Sequence, residues 1–168
     1  EVNRETERQF RADGGNFESA IQYHQFVLES LYVMVGLIAG GRDPAQVLGK
    51  DGPFSGTARE RLRRATEFSA DYCRAWGAVP QIGDSSDGRI LFHRGYFSWT
   101  PDDFTYLADW SALLFPADAP FAAGPRAVRP VYPESGLGIF ASENYSALLC
   151  AMPVSARAGG HNHLDKAS

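Results

Sequence analysis

The chain has 168 residues, 44% of them hydrophobic and 21% charged, the composition of a folded globular protein rather than of a disordered one. Its 16 Lys and Arg against 20 Asp and Glu leave a formal charge of −4, with no basic stripe interleaved with aromatics, so nucleic-acid binding is not expected. The longest apolar run, residues 31–40, is half of the roughly 20 residues that a membrane-spanning helix needs, so no span is expected either.

From the N-terminus the periodicity is helical. Residues 1–12 are polar and helix-permissive, and Asp13-Gly14-Gly15 interrupts them. Asn16 then reads as the N-cap of a long helix starting at Phe17, in which Phe17, Ile21, Leu28, Leu31, Tyr32 and Val35 recur on one face. Gly40-Gly41 followed by Pro44 ends it. A third helix is predicted over 57–76, with Leu62, Ala65, Phe68, Tyr72 and Trp76 inside and Arg59, Arg61, Arg63, Arg64 and Glu67 on a solvated face. After a turn-rich loop at 79–89, a shorter helix is predicted over 102–115, started by Thr100-Pro101-Asp102-Asp103.

Near residue 116 the pattern changes to short β-like runs at 129–132, 138–141 and 146–152. The expectation is therefore an α+β chain, with helices over 1–116 and the start of a β domain over 117–168. Three short strands bury little by themselves, so the chain reads as an internal piece of a larger protein. Cys73 and Cys150 have neither CxxC nor Cys/His ligand spacing, which argues against a disulfide framework or a cysteine zinc site.

Three stretches hold candidate chemistry. In the first, Asp13 to His24, a glycine turn delivers the chain into a helix with Asn16, Glu18, Ser19, Gln22, Tyr23 and His24 near its start. They form either the wall of a cleft or an ordinary arrangement in which Glu18 complements the helix N-terminus and Tyr23 packs in the core. In the second, Gly159 to Lys166, strand geometry would put His161, His163 and Asp165 on one face, suited to a divalent metal or to acid/base work, although a surface turn carries the same residues equally well. In the third, the loop at 83–89, Asp84, Asp87 and Arg89 make either a local ion-paired turn or a site where the Arg89 fork takes an acidic substrate. His93 reads as a packed or surface residue, and no GxSxG, phosphate loop or HExxH occurs.

The string Gln9 to His24, with its Asp-Gly-Gly turn followed by Glu18, Ser19 and Tyr23-His24, resembles a signature of heparinase II/III-like polysaccharide lyases. Pro80 to Asp84 with Asp87-Gly88-Arg89, and Gly160 to Ser168, are similar to later stretches of that family in the same order. The resemblance covers residues 9–168 and implies an incomplete (α/α) toroid joined to an antiparallel β-sandwich. It implies β-elimination on an anionic, uronic-acid-containing polysaccharide of the glycosaminoglycan or alginate type, in the periplasm or outside the cell. Tyr23 would be the catalytic phenol and His161 its partner from the β domain. Glu18, His24, Asn16 and Arg89 would contact substrate. His163 would correspond to a ligand for a divalent metal such as zinc or calcium, with Asp165 supporting it. The family's carboxylate-neutralising Asn or His has no counterpart in these residues. Two other functions fit the residues: a carbohydrate-binding toroid protein without turnover, and a glycoside hydrolase pairing Glu18 with Asp84 or Asp87.

Overall fold

The computed structural model describes residues 1–84, 88–90, 100, 102–122 and 127–153. The chain is α+β. Among the described residues five helices, α1 (Val2–Gln9), α2 (Ile21–Ala39), α3 (Pro44–Val47), α4 (Gly56–Trp76) and α5 (Thr105–Leu114), precede three strands, β1 (Val131–Tyr132), β2 (Leu137–Ala141) and β3 (Ser146–Cys150). The strands form an antiparallel sheet in the order β1-β2-β3, with Tyr132 opposite Leu137, and Leu137 opposite Cys150.

Helix ends follow side-chain chemistry wherever a suitable residue is present. Ser55 caps α4 by accepting from the Ala58 amide, and Asp43 caps α3 by accepting from Ala45, with Pro44 at the first helical position. Gly40 and Gly77 end α2 and α4 in the left-handed conformation. The long second helix departs from expectation at its start. It begins at Ile21 rather than Phe17, and Ala20 occupies the cap position without a capping side chain.

Two buried clusters hold these elements. One joins α2, α4 and α5 through Leu28, Tyr32, Val35, Leu62, Ala65 and Leu107. The other packs the sheet directly on α4, with Phe68, Tyr72 and Cys73 against Tyr132, Leu137, Ile139 and Cys150. Both cysteines are buried there and neither is in a disulfide. The opposite sheet face is apolar and open: Val131, Phe140 and Leu149 are about half exposed at 52%, 49% and 49%.

The arginines expected to form a solvated face on α4 are half-buried instead, and they clamp the chain. Arg59 donates to the Gly49 and Phe54 carbonyls, and Arg61 donates to that of Phe10. Arg63 and Arg64 both pair with Glu67, which their charges allow to be buried. Their planar forks and long stems let them cover apolar surface while satisfying backbone acceptors.

Asp71 ties α4 to β1. Its carboxylate accepts from the Tyr132 hydroxyl at 2.6 Å and from the Arg129 amide at 2.9 Å, both behind the sheet. Burial and the neighbouring Asp71 charge push the Tyr132 phenol well above its ordinary pKa, so it stays a donor. Asp71→Ala strands both donors and should lower the unfolding free energy by about 2 kcal/mol, with a smaller loss in Tyr132→Phe. Urea denaturation reads this as a shift of midpoint, and an unchanged midpoint in Asp71→Ala would contradict it.

Candidate functional site

The Asp-Gly-Gly turn is where the helical half meets the sheet. The chain reverses after α1: the Arg11 amide donates to the Gly15 carbonyl at 2.9 Å, Phe17 donates to Gln9 at 3.0 Å, and Phe10 and Asn16 make a single antiparallel bridge. Asp13 lies buried at the tip. It accepts from the Ser135 amide at 2.8 Å and from the Ser135 hydroxyl, in the turn between β1 and β2. Beside it the Ala12 amide donates to Glu134.

Both glycines are required by close approach. A Cβ on Gly14 would stand 2.2 Å from the Arg64 carbonyl oxygen of α4, at a φ of +107° that side chains disfavour. One on Gly15 would stand 2.0 Å from the Ser135 hydroxyl oxygen. The turn therefore fits between α4 and the sheet only with bare backbone.

From this turn the chain passes to α2 through Asn16, Phe17, Glu18 and Ser19. Asn16, expected as a helix cap and a substrate contact, is buried and spends its amide on the turn itself. Its Nδ2 donates to the Gln9 carbonyl at 3.0 Å, and its Oδ1 accepts from the Glu18 amide at 2.9 Å. Glu18 is half-buried in the turn, before the helix rather than on its first coil. Tyr23 is half-buried on the first turn of α2.

His24, expected beside the substrate, lies in the interior at 1% exposure. Its ring packs against Phe10, Phe68 and Tyr72, with centroids 5.3, 5.0 and 6.3 Å away. Nε2 lies 3.2 Å from the Ala65 carbonyl and 2.9 Å from the Ser69 hydroxyl, and because a carbonyl only accepts, this nitrogen carries the proton. Burial drives the His24 pKa down to about 3, partly opposed by the Ala65 carbonyl, so the ring is neutral at physiological pH. The reason is position: residue 24 is one turn behind Ala20 on the face that meets α4, whereas Tyr23 is rotated toward the outside.

Arg89 is half-buried, with its guanidinium over the Tyr106 ring at 4.7 Å and hydrogen bonds to the Gly88 and Asp103 carbonyls at 3.4 Å. The adjoining Ile90 amide donates to Glu29 of α2 at 3.0 Å. Gln22, Gln25 and Glu29 form a buried polar row along α2, leading from the Tyr23 turn toward Arg89 and Tyr106. Sequence reasoning missed this row. Its signal was the spacing of three polar residues at i, i+3 and i+7 within an otherwise apolar helix.

Two connections bring distant stretches to the start of α2. The Ile21 amide donates to the Ile82 carbonyl at 3.0 Å, and the Ser19 hydroxyl donates to the Pro153 carbonyl at 3.0 Å. His161, His163, Asp165, Asp87 and His93 lie outside the described residues. Among the described residues no group of three or more His, Cys, Asp and Glu side chains is placed to hold a metal, and no helix is long and apolar enough to cross a membrane. Comparison with known protein families, with curated proteins and with solved structures finds no match to this chain.

Two outcomes follow from this geometry. Gly14→Ala should cost about 3 kcal/mol, from overlap with the Arg64 backbone added to the left-handed strain. Gly77→Ala, where φ is +79° but no atom lies within 4 Å, should cost only about 1 kcal/mol; equal losses in thermal or urea unfolding would refute the close approach. For His24, the unfolded chain binds a proton near pH 6.5 and the folded chain only near 3, so stability is fully present above 6.5 and drains as pH falls toward 3. The slope there is about 1.4 kcal/mol per pH unit, and His24→Gln should remove it from the profile of unfolding free energy against pH.

Proposed function

We propose that this chain is part of a lyase that cleaves uronic-acid-containing anionic polysaccharide by β-elimination. The observation that carries the reading is the convergence at the start of α2. The Asp13 to His24 string, the Pro80 to Asp84 stretch and the strand leading toward Gly160 to Ser168 lie far apart in sequence. The first two meet through Ile21 and Ile82, and the Ser19 hydroxyl bonds the Pro153 carbonyl, which precedes Gly160 by seven residues in sequence; Gly160 to Ser168 themselves lie outside the described residues.

The reaction breaks the C5–H bond of a uronate and the C4–O glycosidic bond, forms a C4=C5 double bond, and adds no water. It needs a base for the C5 proton and an acid for the leaving oxygen. In this reading Tyr23 supplies one or both of these transfers and His161 is its partner, with Glu18 and Arg89 contacting the sugar. A half-buried phenol on the first turn of a helix suits proton transfer because the helix fixes the direction of its side chain.

The finer architecture proposed with it is an incomplete (α/α) toroid followed by a β-sandwich. Its support is the apolar surface left open on both halves. Helix α2 carries exposed Phe26, Met34 and Leu37 opposite its buried face, and the sheet carries Val131, Phe140 and Leu149. A helix that is apolar on both sides, and a sheet that is apolar on its outer face, suit a second helical layer and a facing sheet respectively.

Incubation with uronate polymers should produce the ultraviolet absorbance of an unsaturated uronyl end. Tyr23→Phe should lower the rate by about 10²–10⁴-fold with the fold intact by circular dichroism. Wild-type activity in that variant would refute the role of Tyr23. Binding without product would indicate a carbohydrate-binding protein, and products heavier by one water would indicate a hydrolase.

A further inference from the structure

We propose that Ser19 and Arg11 are positioning residues that fix the direction of Tyr23 by clamping the turn ahead of α2 to the chain at Pro153. This rests on the reading above, in which Tyr23 is the acting phenol. Among the described residues Ser19 alone, apart from glycines, has a positive φ, at 59°. A side chain in this left-handed region is strained, and such a residue persists only where its surroundings over-determine it.

The surroundings do so through one guanidinium and one hydroxyl. Arg11 Nη1 donates to the Asn16 carbonyl at 3.0 Å, and Nη2 donates to the Phe17 carbonyl at 3.1 Å. Both nitrogens also lie 3.3 Å from Ser19 Oγ. That oxygen accepts from the cation and donates its own proton to the Pro153 carbonyl. Burial lowers the Arg11 pKa, and the charges of Asp13 and Glu134 oppose that shift.

The consequence is directional. Beyond the first turn, α2 is fixed by Leu28, Leu31, Tyr32 and Val35 in the core. The start of the helix has no side-chain cap; Ile21 and His24 hold its inner side in the core, which leaves the turn carrying Ser19 and Arg11 to set the outer side, where Tyr23 stands. Removing the Ser19 hydroxyl frees the turn from Pro153, and removing the Arg11 fork frees it from its own carbonyls. Tyr23 then samples more than one direction while the helix body stays in place.

The test compares wild type with Ser19→Gly, which accommodates the positive φ and removes the whole hydroxymethyl side chain, and with Arg11→Lys, which keeps the charge and removes the fork. Ser55→Ala, which strips the cap of α4, serves as a control for stability loss alone. Fluorine NMR of protein labelled with 3-fluorotyrosine, the Tyr23 signal being assigned by its loss in Tyr23→Phe, should show that signal shifted or broadened in both clamp variants. The signal of buried Tyr32 should stay unchanged, and Ser55→Ala should leave both alone. On a uronate polymer, kcat should fall about tenfold to a hundredfold, as for a misplaced reacting group, with KM within about twofold.

An unmoved Tyr23 signal in Ser19→Gly and Arg11→Lys overturns the clamp whatever the kinetics show. A moved signal with unchanged kcat overturns its role in catalysis. If wild type eliminates on no polymer, the lyase reading fails, and the fluorine signal still decides whether Ser19 and Arg11 orient Tyr23.

Discussion

A buried carboxylate meeting the amide and hydroxyl of one serine organises this molecule. Asp13 and Ser135 stand 122 residues apart, and their contact closes the helical half onto the turn between β1 and β2. Burying Asp13 is tolerable because Ser135 supplies two donors. Gly14 and Gly15 let the contact form, since any side chain at either position would overlap α4 or the serine. Asp71 with Tyr132 and Arg129 makes a second link between the same layers. Between the two links, the apolar residues of the sheet pack on those of α4.

The same turn sets where α2 begins, and with it everything proposed for Tyr23. Because Asn16 serves the turn and Ser19 takes the left-handed conformation, the helix starts only after Ala20. That places Tyr23 on the outer side of the first turn and His24 on the inner side. Adjacent residues with equally suggestive chemistry thus meet opposite fates. The imidazole is a neutral core group held by Ser69 and Ala65, while the phenol remains half-buried. Tyr23 is therefore the better choice of the two for proton transfer.

Much of the secondary structure was legible because it follows local rules. Apolar periodicity located α4 to within a residue, Gly40 marked the end of α2, and alternation found the strands within about two residues. The start of α2 was not legible. Asn16 is a good cap by composition, but its amide was claimed by Gln9 and Glu18, partners that exist only once α1 has reversed. The arginines of α4 looked solvated because their acceptors are carbonyls of loops, which carry no residue-type signal. The Asp-Gly-Gly string was visible as a turn. Its reason, the close approach to Arg64 and Ser135, depends on which surfaces dock from 50 and 120 residues away. His24 stood out as chemistry in the string, whereas only packing reveals it as core.

Asp13 and Ser135 couple the helical half to the sheet, and a double-mutant cycle measures that coupling directly. Unfolding free energies of wild type, Asp13→Ala, Ser135→Ala and the double variant should show an interaction energy of about 1–3 kcal/mol, the double variant losing less than the sum of the singles. Losses that add to within about 0.3 kcal/mol would show that the two residues act independently and that something else docks the sheet.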